Sequence, residues 1–435
     1  MAPDLKMGMR RWLIVALAAG LPIPYAVRLL GSRSGAYAVD LPIWAVVVVI
    51  LVLTGSKEWK GLRHDRVAWL LLAYAIISAL SLPIGIIAYH NLEGVRSFAY
   101  QLVLISNFAV GYLILRDIDD IELLIRGFVA SVGAISTALA VYLLQAGILG
   151  SVHEFHNSEV IRSAIYGWPN YFSVLVAVAF VMCLYVITTS TGLWRRVYIG
   201  LGIGMAACEA LTFSKTGWAV LALALWLLWV RFWRVRRQLM VALGLILAAL
   251  VLLITTNDSF KRQIFTLGTL DERLRFMAVV FQKVNPLMLL AGSGSQSVDT
   301  LLAPYAQLPL IPGVNVGDLT SHDEFLNVLV KSGLIGLLLL VIALITVIVR
   351  SHRLSKHADS HTATLFRYWF AAGLAIIASL FASDELHYWL VGALFWMMAG
   401  AAVHMVRRTT AQPVPGRGPA LTADREAQQQ LPASP

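Results

Sequence analysis

Long apolar runs separated by short polar breaks dominate this 435-residue chain. A bilayer hydrocarbon core is about 30 Å thick, and a helix crosses it with about 20 apolar residues. Backbone polar groups find no water there, and the runs are too long for barrel strands of roughly 10 alternating residues. The pattern predicts an all-α integral membrane protein with about twelve transmembrane helices. The predicted spans are 11–30, 39–55, 67–89, 97–115, 121–147, 168–189, 197–213, 217–232, 238–256, 324–349, 366–383 and 388–405.

Composition and charge exclude several other classes of protein. Hydrophobic residues make up 59% of the chain and charged residues only 13%, far from the make-up of water-soluble domains. The net charge of +10 comes from short basic clusters between apolar runs, so nucleic acid is not an expected partner. Arg10 and Arg11 precede a run long enough to span, which favours a retained signal anchor over a cleaved leader. Cys183 and Cys208 lie inside apolar runs and are expected to be inert packing residues.

Basic residues alternate between the predicted loops, as the positive-inside rule requires. The richer set of loops is predicted to be cytoplasmic and includes both termini. Its basic residues are Lys6, Arg10, Arg11, Lys57, Lys60, Arg63, Arg66, Arg116, Arg195, Arg196, Arg231, Arg234, Arg236, Arg237, Arg350, Arg353, Lys356, Arg407 and Arg408. The sparser set includes the largest loop, about 257–323, which is predicted to be periplasmic. Residues 1–408 are interpreted as one polytopic transmembrane domain and 409–435 as a disordered cytoplasmic tail.

The end of that large loop carries the first candidate site. His322 and Asp323 directly precede an apolar run, and Gly333 and Gly336 lie inside the run. An imidazole titrates near neutral pH, and the neighbouring carboxylate can orient it or raise its pKa. A pair that only caps the incoming helix is the alternative for His322 and Asp323. The two glycines are expected to form a close helix-packing surface.

Three further segments bring cations to the predicted periplasmic side. They are Arg162 with Gly167 and Pro169-Asn170; Ser214-Lys215-Thr216-Gly217-Trp218; and Arg273-Leu274-Arg275-Phe276, followed by Asn285-Pro286-Leu287 and Gly292-Ser293-Gly294. Cationic residues near a membrane without a topological role are functional candidates. Lone arginines that reach lipid headgroups are the alternative. Glu209, in the seventh predicted span, is a weaker candidate that pairs with a basic neighbour or lines a cavity.

The order of these motifs resembles the O-antigen ligase and polymerase superfamily. In that superfamily a His, a small polar residue and Gly-x-x-Gly lie where the large periplasmic loop enters a transmembrane helix. Asp323 departs from the Asn, Ser or Gln usual at its position. The segments of Arg162, Lys215 and Arg273 are similar to the other motifs, and Arg273 is preferred although Arg275 stays open. The resemblance implies a GT-C-like glycosyltransferase of the bacterial inner membrane.

The resemblance also implies a reaction and its partners. A glycan is transferred from undecaprenyl pyrophosphate to a lipid A core sugar on the periplasmic face, with membrane lipids as surroundings. Arg suits the pyrophosphate because its planar fork donates two hydrogen bonds, and Lys adds a point charge. The expected substrate-binding residues are Arg162, Lys215, Arg273, Arg275 and Asp323. His322 is the expected catalytic residue, as general base or acceptor-orienting group. By the family's example, no nucleotide, metal or other cofactor is expected.

Other functions remain open from the sequence. A polymerase that joins glycan repeat units shares these motifs, and the preference for a ligase rests on general likeness and the compact loop. A transporter or flippase predicts ionisable residues buried in mid-span and paired broken helices, whereas nearly all charges here lie at the ends of predicted spans. A purely structural protein gives no reason for basic residues in the large external loop.

Overall fold

The computed structural model describes residues 3–20, 56–89, 93–145, 169–212, 214–231, 244, 268–294, 298–311, 314–316, 323–381, 386 and 389–411. The helices in these ranges are α1 (Pro3–Gly20), α2 (Ser56–Leu62), α3 (Arg66–Tyr89), α4 (Glu93–Ile114), α5 (Ile118–Gln145), α6 (Pro169–Thr189), α7 (Gly192–Thr212), α8 (Lys215–Arg231), α9 (Gly268–Lys283), α10 (Pro286–Ala291), α11 (Val298–Leu302), α12 (Glu324–His357), α13 (Ser360–Ser379) and α14 (Trp389–Ala411). A 3-10 turn covers Ala303–Tyr305, and β1 (Pro309–Ile311) pairs antiparallel with β2 (Val314–Asn315).

Six of the described helices are long and apolar enough to cross a membrane, by length and composition. These candidate spans are Arg66–Ile87, Ser97–Ile114, Ile118–Tyr142, Tyr171–Thr189, Glu324–His357 and Ser360–Ser379. The prediction of an all-α membrane protein is therefore confirmed, with the short β1–β2 hairpin as a departure within the described residues. The number of twelve spans and the GT-C-like architecture stay predictions.

Most predicted spans coincide with a described helix, although the boundaries differ. Predicted spans 39–55 and 238–256 lie outside the described residues, Gly244 apart. α1 begins eight residues before its predicted span, and α12 continues eight residues past residue 349. The helices outrun the predictions because hydropathy marks only their apolar part, while their polar ends continue beyond it. α14 also reaches Ala411, beyond the predicted start of the tail at 409, and residues 412–435 lie outside the described residues.

Small residues allow some helices to approach closely. A Cβ atom at Gly111 of α4 would lie 1.9 Å from the carbonyl oxygen of Met397 in α14. Likewise, a Cβ at Gly400 of α14 would lie 2.1 Å from the carbonyl oxygen of Phe108. Such contacts favour helix association in membranes, where burial of apolar surface gives no driving force.

One end of the bundle is held by ion pairs between polar helix ends. Arg10 contacts Asp117 at 3.2 Å and Asp120 at 3.1 Å, which ties α1 to the start of α5. Arg350 contacts Asp65 at 2.6 Å, which ties α12 to the residue before α3. Arg407 and Arg408 of α14 donate to the Gly61 and Arg116 carbonyls, so the ends of α1, α3, α5 and α12 meet at one end of the bundle. Their basic residues belong to the set predicted to be cytoplasmic.

The opposite end carries a folded unit built from the predicted large loop. α9, α10, α11 and the β hairpin pack around a small apolar core of their own. Phe276 and Val280 of α9 join Val298 of α11 in that core, together with Leu326 and Val330 from α12. The described part of the loop is therefore docked on the first turns of α12.

Candidate functional site

The N-terminus of α12 anchors the candidate site. Asp323 is the N-cap residue, and its Oδ1 atom accepts a hydrogen bond from the Leu326 amide at 2.9 Å. The Glu324 amide donates to the Leu380 carbonyl at 3.0 Å, which fixes the helix start against the end of α13. The sequence folds in this way because an aspartate at the N-cap satisfies an amide that the helix leaves unpaired.

Asp323 is also a buried acid at this end of the bundle. Its side chain is only 7% exposed, and its Oδ2 atom has no hydrogen-bond partner among the described residues. Burial raises the pKa of Asp323, against the opposing effects of the Leu326 and Phe325 amides and of Arg273. The site therefore contains a buried carboxylate of which one oxygen caps the helix and the other has no hydrogen-bond partner among the described residues.

The two candidate arginines of α9 lie in different surroundings. Arg273 is half-buried and close enough to Asp323 to lower the pKa of that carboxyl. Arg275 is exposed, and its Nε atom donates to Asp271 at 2.9 Å while its guanidinium also donates to the Leu310 carbonyl at 3.2 Å. The structure therefore brings Arg273, and not Arg275, towards the start of α12.

Lys215 begins α8 at a turn that buried polar groups hold. The Gly217 amide donates to Ser214 Oγ at 3.2 Å, so Ser214 caps α8. Glu209 of α7 lies under this turn and is 3% exposed. Its Oε1 atom accepts the Ser173 hydroxyl at 2.5 Å, and its carbonyl accepts the Trp218 indole N–H at 3.0 Å. Lys215 itself is exposed.

Helix length places Lys215 at the same end of the bundle as Asp323. α7 begins beside the polar end that holds α5, because Arg126 of α5 donates to Ser190 at 3.5 Å. Its 21 residues rise about 30 Å before Lys215 is reached. Asp323 precedes a helix in which Arg350, bound to Asp65, lies about 39 Å further along. Both candidates therefore lie away from the ion-paired end.

Two of the candidates lie outside the described residues. They are His322 and Arg162. His322 directly precedes Asp323 in the chain. Its role and that of Arg162 stay predictions.

A buried polar cluster next to this site was missed by the sequence reasoning. Lys331, in the second turn of α12, donates to Ser97 of α4 at 3.4 Å. The hydroxyl of the next residue, Ser332, lies 2.8 Å from the Ser78 hydroxyl of α3. Tyr74 of α3 lies near Glu324, and its hydroxyl accepts a hydrogen bond from the Gln101 side-chain amide. A lysine inside an otherwise apolar run was the signal that could have found this cluster.

The described helices define a multi-spanning α-helical membrane protein with its candidate site at one end of the bundle. Residues 200–341, about a third of the chain, match the family model described as O-antigen ligase. The match includes Lys215, Arg273 and the region from Asp323 to Gly333, which carried the resemblance in the sequence. This part of the chain is therefore similar to the O-antigen ligase family. No curated protein matches the chain.

Proposed function

We propose that the protein is an O-antigen ligase that transfers a glycan from undecaprenyl pyrophosphate to a lipid A core sugar on the periplasmic face of the inner membrane. An acceptor hydroxyl attacks the anomeric carbon, and the bond from that carbon to the pyrophosphate oxygen breaks. The hydroxyl proton goes to His322, and undecaprenyl pyrophosphate leaves. The family match and the multi-spanning helices support the general class of the protein, and we assign the site residues from their positions.

One observation carries the proposal, namely the proximity of Arg273 to the start of α12. Arg273 lies within electrostatic reach of Asp323, the residue that follows His322. Because Asp323 follows the proposed base in the chain, we assign the leaving pyrophosphate to Arg273 and the attacking hydroxyl to His322. Positive charge fixed where negative charge develops on the leaving group lowers the barrier, and it does so more effectively where water is excluded.

The remaining donor contacts are assigned by position. Lys215 is exposed at the end of the bundle that also carries Asp323, and its turn is fixed from below by Glu209 and Ser173. A fixed turn keeps the backbone of Lys215 in place, so only its side chain has to be ordered when the donor binds. Arg162 is assigned to the same pyrophosphate from its motif alone. Arg275 has no part in this assignment, because it is bound to Asp271 and to the β1 backbone.

The test is glycan transfer by the purified protein in detergent, from a lipid-linked donor to purified lipid A core. Arg273→Ala is expected to lower kcat/KM roughly 10- to 100-fold, because hydrogen bonds to a charged partner contribute about 1.5–3 kcal/mol each. His322→Ala is expected to abolish transfer above background. Arg275→Ala is the matched control on the same helix, since an exposed ion pair contributes little.

The outcomes separate the competing functions. Transfer by wild type and by Arg275→Ala, with loss in Arg273→Ala at equal folded yield, supports the assignment. Equal losses in Arg273→Ala and Arg275→Ala contradict the choice between the two arginines. Lengthened donor chains without added core identify a polymerase. An intact donor with no new product, under conditions where the protein is folded, rules out transfer and favours a transporter.

A further inference from the structure

We call the part of the predicted periplasmic loop formed by α9, α11 and the β hairpin the external unit. The short helix α10 lies between this unit and two membrane-spanning helices, α3 and α12. It is followed by Gly292-Ser293-Gly294, in which Gly292 and Gly294 have φ angles of 89° and 75°. The Ser293 amide donates to the Val330 carbonyl of α12 at 2.8 Å. A Cβ at Gly294 would lie 2.5 Å from the Ser81 carbonyl oxygen of α3. We call α10 with these three residues the shelf.

The contacts of the shelf fix its depth. Gly333 of α12 touches it so closely that a Cβ there would lie 2.3 Å from the Leu290 carbonyl oxygen. Gly333 is nine residues into α12, about 14 Å from Glu324 along an α-helix. On α3 the shelf contacts Ser81 and Gly85, whereas the apolar span of α3 continues to Ile87. The shelf therefore lies inside the apolar length of both helices and not above it.

The outward face of α10 is apolar. Its sequence is Pro-Leu-Met-Leu-Leu-Ala, without a charged residue, and Leu287 and Leu290 are 71% and 54% exposed. The neighbouring exposed residues of the two spans are also apolar. They are Leu80, Ile84 and Ile87 on α3 and Leu334, Ile335 and Leu338 on α12. Exposed side chains on a membrane span face hydrocarbon, so the leucines of α10 continue a lipid-facing surface.

We propose that α10 is a re-entrant helix immersed in the leaflet nearest the start of α12, with Leu287 and Leu290 against lipid acyl chains. The polar ends of so short a helix are acceptable at this depth because protein groups satisfy them. Asn285 Oδ1 accepts the Leu287 amide at 2.9 Å, and the Gly292 amide donates to the Met288 carbonyl at 2.8 Å. The shelf anchors α9, and with it Arg273, at the membrane surface.

The test uses single cysteines carrying a nitroxide spin label, with the full chain in phosphatidylcholine proteoliposomes. The native Cys183 and Cys208 are fully buried, and the labelled parent chain gives the background. Labels at Leu287→Cys and Leu290→Cys are expected to collide more with oxygen, which dissolves in hydrocarbon, than with a water-soluble nickel chelate. The label at Ile335→Cys is the lipid-facing reference, and the label at Gln307→Cys, on the exposed turn before β1, is the aqueous reference.

The proposal requires an oxygen-to-nickel ratio at both α10 positions that matches Ile335 and exceeds Gln307. A ratio equal to that at Gln307 overturns it, because the shelf then faces water. Protection from both reagents also overturns it, because another protein surface then covers the helix. A bimane dye at the same cysteines, quenched by lipids with nitroxide-labelled chains, gives a second reading, and absence of quenching there counts against the proposal.

Discussion

At the residue scale, the two carboxylate oxygens of Asp323 have different surroundings. Its Oδ1 atom caps α12, while its Oδ2 atom is buried without a hydrogen-bond partner among the described residues. Burial raises the pKa of Asp323 above its usual value. For an acid whose pKa is higher in the folded state, ionisation costs folding free energy. That cost is absent below the pKa of the unfolded chain and appears as the pH rises through the folded-state pKa.

Replacement of Asp323 by Asn is expected to stabilise the protein at pH 7. Asparagine caps helices about as well as aspartate, so the bond from the Leu326 amide is retained while the buried charge is removed. The unfolding temperature of Asp323→Asn should exceed that of wild type at pH 7, and the difference should shrink as the pH falls and Asp323 becomes protonated. Thermal unfolding in detergent across a pH series measures this.

Comparison of Asp323→Ala with Asp323→Asn separates the effect of the helix cap from the effect of the charge. Alanine removes both, and loss of a cap costs about 1 kcal/mol, so this variant should be less stable than Asp323→Asn at every pH. A lower unfolding temperature for Asp323→Asn than for wild type at pH 7 would contradict the argument. It would mean that the negative charge is stabilised by Arg273 and the helix N-terminus by more than burial costs.

The choice between Arg273 and Arg275 could not be made from the sequence. The motif left Arg273 and Arg275 open, because a linear spacing does not say which side of a helix faces the site. Residues two apart on an α-helix point in directions about 160° apart, so only one of the pair can face α12. The formation of α9 and its docking on α12 decide between them, and both depend on contacts remote in sequence.

At the element scale, Gly333 and Gly292 form a close-packed seam between α12 and the shelf, while Gly294 packs against Ser81 and Gly85 of α3. Gly333 has φ 71° and ψ 179°, and Gly292 has φ 89° and ψ 159°, a region that only glycine adopts readily. Sequence analysis predicted a close helix-packing surface at Gly333 and Gly336. The structure confirms it for Gly333, whereas an added Cβ at Gly336 would meet another helix only at Tyr74, 3.7 Å away. The partners of Gly333, which are Leu290, Ala291 and Gly292, were not predicted, because nothing in the sequence pairs two segments about forty residues apart.

Gly333→Ala is expected to destabilise the protein strongly. A side chain in this backbone region costs about 1–3 kcal/mol, and the new Cβ would overlap the Leu290 carbonyl oxygen as well. Gly200→Ala is the matched control, since Gly200 lies in α7 with nothing within 4 Å of an added Cβ. Alanine there should stabilise the helix by about 0.5–1 kcal/mol. Unfolding of both variants in detergent measures this difference in stability. Equal stability of the two variants would show that the close packing at Gly333 does not stabilise the fold.

The elements themselves were predicted unevenly. Spans such as α3 and α6 match their predictions to within a residue or two, because long apolar runs bounded by polar loops leave few alternatives. The β hairpin and the second apolar core escaped prediction, since the residues that build them are spread through the loop without a helical or strand period. His322 and Arg162 lie outside the described residues, so this part of the predicted site stays untested.

At the scale of the whole molecule, the two ends of the bundle differ in chemistry. One end joins basic and acidic helix termini, as in the pairs of Arg10 with Asp117 and of Arg350 with Asp65. The other end carries Lys215, Arg273 and Asp323 together with the folded external unit. Short loops rich in Lys and Arg resist transfer across the membrane, so the ion-paired end is expected in the cytoplasm.

This orientation gives the final prediction, which does not depend on enzymatic activity. In intact spheroplasts, a membrane-impermeant maleimide should label Gln307→Cys, at the external unit, but label Lys60→Cys, in α2 at the ion-paired end, only after lysis. The buried native cysteines make the unmodified chain a clean background. The reverse pattern would put the candidate site in the cytoplasm, where a donor presented on the periplasmic face cannot reach Arg273, and the ligase proposal would fail together with the topology.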